Sequence, residues 1–272
     1  MNITREVLGV DIGGTFTDFT YVQNGLLKVL KLPSSAKNAA EVVLDGMAKL
    51  GVSDNATISH GSTIATNTLL EKKGARTALI ITQGFEDILE IGRQNRHSIY
   101  NLGLEKIPSL VPSELLMGIN ERLSSDGRIL TPLESKDVHQ IAEVLKNEDV
   151  EAIAVSLLFS FLNPRHEEII KEILLKTLHD QNIFLSISSE LLPEYREYER
   201  TSTIVVNAYL GPIVNAYLKD LTSKLGRQIR VMHSGGGSLS ATRAAMEPVR
   251  TLLSGPAGGV AGAFQVAKQA GF

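Results

Sequence analysis

Val10-Asp11-Ile12-Gly13-Gly14-Thr15-Phe16-Thr17-Asp18 lies close to the start of the chain, between the apolar run Val7 to Val10 and the alternating run Phe19-Thr20-Tyr21-Val22. Apolar run, paired glycines and alternation together read as strand, tight turn and returning strand. A carboxylate at the end of the first strand, glycines at the bend and hydroxyls on the way back suit a phosphate-holding hairpin. Gly13 and Gly14 permit positive φ and close approach of a ligand to the backbone. Their N–H groups, with the Thr15 and Thr17 hydroxyls, would face phosphate oxygens. Asp11 sits where a metal ion or a transferring proton needs an anion. The stretch lacks Gly-Lys-Ser/Thr and runs on into a strand, so it is neither a P-loop nor a dinucleotide fingerprint. An ordinary hairpin turn would require neither Asp11 nor the paired threonines.

The chain has 272 residues, long for one domain and enough for two small ones. With 43% hydrophobic and 21% charged residues it can bury a substantial core, which excludes global disorder. A formal net charge of −3 gives no positive field for nucleic acid or anionic lipid. Cysteine is absent, which removes disulfides, thiolate nucleophiles and cysteine metal sites and fits a reducing cytoplasm. No basic segment leads into an apolar core at the N-terminus, and no run approaches the roughly 18 apolar residues of a spanning helix. The expectation is a soluble cytoplasmic protein. Aromatics are only 5% and tryptophan is absent, which speaks against a base-stacking surface.

Strand and helix signals alternate along the rest of the chain. Leu26 to Leu32, closed by Pro33, is a third strand; Asn38 to Leu50 is a helix stopped by Gly51. Ala56 to His60 reads as strand, Ile64 to Lys73 as helix, Thr77 to Thr82 as a strand buried on both faces, and Phe85 to Gly92 as helix. Asn95 to Asp126, with Pro108 and Pro112, reads as an excursion carrying short strands around Ile119 to Leu123 and Arg128 to Leu130. Thr131-Pro132-Leu133-Glu134 offers a capping box with proline at the first helical position, opening a helix to about Lys146. Ala152 to Phe159 is a strand, and Asn163-Pro164 starts a helix whose Ile169, Ile170, Ile173 and Leu174 face the core. Phe184 to Ile187 and Ile229 to Met232 are strands. Ser202 to Leu225 between them is helix, interrupted near Gly211-Pro212. An α/β chain with a three-strand antiparallel opening and a mixed sheet follows.

Four further constellations bear on chemistry. His60-Gly61-Ser62-Thr63-Ile64-Ala65-Thr66-Asn67 stands where a strand ends and a helix begins, a natural anion or carbonyl site. There His60 reads either as a proton carrier or as a hydrogen-bonded structural histidine. Glu90-Ile91-Gly92-Arg93-Gln94 is a polar cluster at a helix end leading to Arg96 and His97. Glu194 to Arg200 has charges three and four apart, which reads as a salt-bridged surface helix. Ser234-Gly235-Gly236-Gly237 and Ser254-Gly255-Pro256-Ala257-Gly258-Gly259 suit phosphate or substrate binding, and tight backbone packing equally well.

The stretch 9–18 resembles the first phosphate motif of the actin-like ATPase and sugar-kinase superfamily. His60 to Asn67, Leu69 to Thr77, Gly84 to Gln94, Arg200 to Thr203, Val206 to Pro212 and Ser254 to Val260 are similar to the hydantoinase A and 5-oxoprolinase family. Acetone and acetophenone carboxylase subunits belong to the same family, and the resemblance covers essentially the whole chain. It implies an actin-like ATPase (ribonuclease H-like) lobe, with residues 1–185 as the N-terminal domain and 200–272 as the start of the core domain.

By the same resemblance the chemistry is ATP-dependent hydrolysis of a cyclic amide of the hydantoin or 5-oxoproline type, through phosphoryl activation of the carbonyl. The alternatives are a ketone carboxylase subunit and a non-catalytic binding module. ATP and Mg²⁺ are the implied cofactors. Gly13, Gly14, Thr15 and Thr17 would contact phosphates, with Gly235, Gly236, Ser254 and Gly255 as further cofactor contacts. Asp11 would orient Mg²⁺ or the attacking oxygen. His60, Glu90 and Arg93 are the remaining catalytic candidates; Thr63 and Asn67 are the candidates for substrate. The family usually carries glutamine where His233 stands. It also runs on, past the position of Phe272, into a second aspartate-glycine-glycine-threonine motif. Weak nucleotide binding without turnover is therefore expected of this polypeptide alone. The implied partners are a hydantoinase B-like subunit and a second lobe in cis or trans.

Overall fold

The computed structural model describes residues 6–35, 38–95, 100 and 109–272. Two units emerge, Met1–Lys73 with Ile213–Phe272, and Gly74–Pro212. The first opens with β1 (Val7–Ile12), β2 (Phe16–Gln23), β3 (Leu26–Pro33), α1 (Ala39–Leu50), β4 (Thr57–Ser62) and α2 (Ile64–Leu70). The second holds β5 (Thr77–Thr82), α3 (Ile88–Ile91), β6 (Leu116–Ile119), β7 (Arg122–Leu123) and β8 (Ile129–Thr131). It continues with α4 (Ser135–Lys146), β9 (Ala152–Ser156), α5 (Arg165–Thr177), β10 (Phe184–Ile187), α6 (Ser188–Leu191) and the first half of α7 (Glu197–Leu225). The chain ends in the first unit with β11 (Ile229–Met232), β12 (Ser238–Ser240), α8 (Ala241–Met246) and α9 (Ser254–Gln269).

The opening run is the expected antiparallel meander, and it continues into a mixed six-stranded sheet ordered β12-β11-β4-β1-β2-β3. β4 is parallel to both β1 and β11. Period-two alternation decides the faces: Leu8, Val10, Phe19 and Tyr21 are buried on one side. Asp11, Asp18 and Thr20 stay exposed on the other. α1 covers the apolar face through Ala40, Val43 and Leu50, ending on left-handed Gly51 at φ 64°. Gly46 lets it sit close, because a Cβ there would lie 2.3 Å from the Phe19 ring.

The second unit carries an all-parallel four-stranded sheet, β10-β9-β5-β6. β5 and β9 are buried at every residue, as continuous apolar runs in a sheet covered on both faces require. Of the expected excursion 95–126, β6 enters this sheet beside β5, and β7 pairs with β8 in a separate two-stranded sheet; Arg96, His97 and Pro108 lie outside the described residues.

Several expectations are corrected. α2 stops at Leu70 rather than Lys73, and only Ile88–Ile91 of 85–92 is helical. The Thr131–Glu134 capping box does not form: Thr131 pairs in β8, and α4 starts at Ser135 with no side-chain cap. On α5, Ile170 and Leu174 are buried while Ile169 and Ile173 are only partly so; His166 and Glu167 join the core instead. The expected break at Gly211-Pro212 is absent, and α7 runs unbroken through 29 residues with Pro212 inside. An interior proline costs about 3 kcal/mol. Burial of Ile204, Val205, Ala208, Leu210, Val214, Leu218 and Leu221 along the helix offsets it.

Gly211 acts as a packing notch, since a Cβ there would lie 2.3 Å from the Phe184 ring. Gly211→Ala is therefore expected to destabilise by about 1–2 kcal/mol despite alanine's better helix propensity. Urea titration checks it: a midpoint equal to or above wild type would show that the ring can yield.

Candidate functional site

In the first unit, β1 and β2 deliver the glycine hairpin, and the β4–α2 corner stands beside it. Gly13 N–H is taken by Phe16 O at 3.0 Å, which closes the turn. Gly14 meets nothing within 4 Å of where a Cβ would stand. The Gly14 and Thr15 N–H groups have no acceptor among the described residues. Neither Gly13 nor Gly14 has positive φ, contrary to the reading from sequence. The bend needs no left-handed residue; a Cβ on Gly13 would instead press Phe16 O at 3.0 Å. Thr17 is also placed otherwise: it is buried, and its hydroxyl bonds Ser34 Oγ at 2.9 Å. Strand alternation turns its side chain inward, away from any phosphate. Thr15 stays exposed.

A cavity of about 250 Å³ lies against this hairpin, lined by Gly13 and Gly14 together with Ser34, Thr63, Asn67 and Tyr217. Its charged lining residues are Lys73 and Glu71, paired at 2.6 Å. Thr63 Oγ1 accepts from Asn67 Nδ2 at 3.3 Å. The structure thus brings Gly13, Gly14, Thr63 and Asn67 together.

Asp11 belongs to the opposite face of the sheet. One rung of the ladder runs Gly61, Asp11, Asp18, Lys31 across four strands. Asp18 is neutralised by Lys31 at 3.1 Å. Burial first, and the Asp18 charge second, raise the Asp11 carboxyl above its ordinary pKa. Gly61 leaves the room: a Cβ there would stand 3.0 Å from Asp11 Oδ1. Among the described residues no group of three or more His, Cys, Asp or Glu could hold a metal alone. Asp11 could hold Mg²⁺ only together with ligand oxygens and water, the usual manner of that ion.

His60 is buried on the covered face. Its Nε2 lies 2.7 Å from the Tyr217 hydroxyl. Burial depresses its pKa from 6.5 to about 4, so it is neutral at pH 7. Between pH 6.5 and about 4 the unfolded chain binds a proton that folded His60 refuses. Stability is complete above that window and falls as the pH drops through it, by on the order of 3 kcal/mol. His60→Gln should flatten urea midpoints against pH between 6.5 and 4 relative to wild type; identical slopes would contradict the burial effect.

The second glycine constellation forms the turn between β11 and β12. His233 fills it: Gly235 N–H donates to His233 Nδ1 at 2.7 Å, and Gly236 takes φ 80°. Ser254 is buried as the first residue of α9, with Gly255 beside it and Leu253 before it at φ 55°.

Glu90 and Arg93 belong to the second unit. Both are exposed, and Arg93 Nε pairs with Glu199 Oε1 at 2.6 Å. The run 194–200 departs from a salt-bridged surface helix. Arg200 is buried, donating to the carbonyls of Glu194 at 3.0 Å and Leu157 at 2.6 Å. Buried Glu167 lies in the same polar cluster and bonds Leu157 N at 2.8 Å. Nearby, His166 Nδ1 and Glu121 Oε2 lie 2.7 Å apart, and Thr82 bonds the same carboxylate.

Sequence reasoning missed Tyr217, Glu121, His166 and Glu167. For Tyr217 a signal existed: it sits on the stripe of Val214, Leu218 and Leu221 and carries a polar tip.

The family model described as Hydantoinase/oxoprolinase N-terminal region matches residues 7–178, and that described as Hydantoinase/oxoprolinase matches 200–272. An uncharacterized protein of Methanocaldococcus jannaschii is 38% identical over 264 residues, which is 93% of this chain and 38% of that protein. Caprolactamase subunit alpha of Pseudomonas jessenii is 33% identical over 268 residues, 92% of this chain and 38% of its own length. The crystal structure of ATP-dependent caprolactamase from that organism matches at TM-score 0.83 and 31% identity, covering 97% of this chain and 41% of the other. Nucleotide-free acetone carboxylase matches at TM-score 0.87 and 31% identity, over 98% and 41% of the two chains. The chain thus spans about two fifths of the length of these relatives.

Proposed function

The chain belongs to the hydantoinase/oxoprolinase family, and from that premise we propose that it is the phosphate-binding portion of an ATP-dependent enzyme that opens a cyclic amide. The observation that carries the proposal is the hairpin whose Gly13 and Gly14 line one cavity with Thr63 and Asn67, the Gly14 and Thr15 N–H groups having no acceptor among the described residues. A lactam carbon is a poor electrophile because its nitrogen donates into it. Bound ATP supplies the phosphoryl group that turns the amide oxygen into a leaving group. The chain's own work is to place charge.

The Gly14 and Thr15 N–H groups and the Thr15 hydroxyl receive phosphate oxygens, and Asp11 holds Mg²⁺ on the open face. Thr63 and Asn67 contact the amide. Gly235, Gly236, Ser254 and Gly255 are further cofactor contacts, and Glu90 and Arg93 remain candidates for substrate binding or proton transfer. Residues 1–185 serve as the N-terminal domain and 200–272 as the start of the core domain.

Partners are part of the reading. α9 is apolar on nearly every side, with Val260, Phe264 and Val266 all exposed. A helix hydrophobic all round is normally covered. Here a second lobe, in cis or trans, would cover it, and a hydantoinase B-like subunit completes the assembly. No described helix is long and apolar enough to cross a membrane.

The likeness to acetone carboxylase supports a second reading, a ketone carboxylase subunit. Phosphate release from ATP separates the two when this chain is assayed with the polypeptides encoded beside it. Release stimulated by lactams or hydantoins supports the amidase, and release stimulated by ketones with bicarbonate supports the carboxylase. No stimulation by either would overturn both.

A further inference from the structure

Tyr217 links two parts of the first unit that the chemistry needs held together. Its ring lines the hairpin cavity, together with Ser62 and Thr63. Its hydroxyl lies 2.7 Å from His60 Nε2 and hydrogen-bonds Ser62. Burial keeps the phenol protonated, far above its usual pKa, and keeps His60 neutral. The directions are therefore fixed: Tyr217 donates to Nε2, and the imidazole proton sits on Nδ1. Nδ1 is turned toward the Val10 backbone, short of well-formed hydrogen-bond geometry.

On the other side, Ile64 N–H donates to Ser62 Oγ at 3.2 Å, leaving the Ser62 proton for the tyrosine oxygen. The corner is also stitched to the hairpin, since Thr63 N–H and Oγ1 reach Ile12 O at 3.3 and 3.4 Å. A one-way chain thus runs from the first turn of α2 through Ser62 and Tyr217 to His60, whose Cα partner on β1 is Val10, the residue before Asp11.

We propose that Tyr217 is a positioning residue for this site: its ring forms one wall, and its hydroxyl fixes the Ser62–Thr63 corner against the Gly13–Gly14 hairpin in the arrangement that receives an anion. The proposal rests on the reading of the hairpin as a phosphate site. A neutral, buried histidine suits the role, because an acceptor that does not titrate near pH 7 holds the hydroxyl at constant orientation.

The test is Mg-ATP titration of the full chain at millimolar concentration, with urea titration and ¹⁵N spectra of the histidines. Tyr217→Phe keeps the wall and cuts the chain at its centre; Ser62→Ala cuts it at the cavity. Each is expected to weaken Mg-ATP binding about tenfold, the protein remaining folded at the assay conditions and the loss in Ser62→Ala exceeding any fall in its urea midpoint. The His60 Nε2 resonance should move in Tyr217→Phe. Unchanged affinity in both variants, or affinity lost only in step with stability, would overturn the positioning role. Wild-type protein that does not bind Mg-ATP would overturn the phosphate reading itself, and this proposal with it.

Discussion

Asp11→Asn is expected to lower ATP-dependent phosphate release by the assembled enzyme roughly a thousandfold, with folding intact. The two effects separate because the part-covered Asp11 carboxyl has no cation paired with it among the described residues. Opposite it stands Asp18, and like charges directly across a ladder repel. Neutralising Asp11 therefore leaves stability equal or slightly higher. The catalytic loss has another origin. Phosphoryl transfer depends on charge neutralisation by a metal ion, and Asp11 is the carboxylate at the end of the hairpin strand available to hold one. Phosphate release and urea titration on the same preparation check both halves. Retained full turnover would remove Asp11 from its role.

Glu167→Gln is expected to destabilise the second unit by about 3–5 kcal/mol. Glu167 is wholly buried and accepts from Leu157 N at 2.8 Å, Ser188 Oγ at 2.7 Å and Ser189 N at 2.8 Å. Glutamine has the same shape but turns an NH₂ toward one of these donors. It also removes the negative charge that interacts favourably with the buried Arg200 guanidinium. Exposed Glu172, paired with Lys176 along α5, is the control; its alanine variant should stay within about 0.5 kcal/mol. Chemical denaturation reads both. A Glu167→Gln loss as small as that of Glu172→Ala would show that the cluster contributes little.

The parts of this molecule legible in its sequence are those written by local physics. The meander of β1 to β3, the apolar β5 and β9 and the Gly51 stop of α1 follow from period, composition and backbone freedom within a few residues. Misreadings arose where distant packing overrode local chemistry. Gly211-Pro212 has the marks of a break, yet the helix persists because burial of its apolar residues on both sides offsets the proline, and the glycine serves to admit the Phe184 ring. The hydroxyl pattern placed Thr17 toward phosphate, but alternation on β2 sends it inward to Ser34. The candidate site divides likewise. The hairpin and the Thr63–Asn67 wall are contiguous motifs, whereas His60 and Tyr217 meet across 157 residues of chain. A separation of 45 residues likewise hides the meeting of Glu121 with His166. No periodicity encodes such pairs.

The central claim is that ATP is spent on the amide oxygen. The most direct measurement follows a lactam labelled with ¹⁸O at its carbonyl through turnover by the assembled enzyme, with ³¹P spectra of the phosphate released. Phosphoryl activation predicts that the label arrives in inorganic phosphate, one atom for each ring opened. Ring opening with unlabelled phosphate would contradict it.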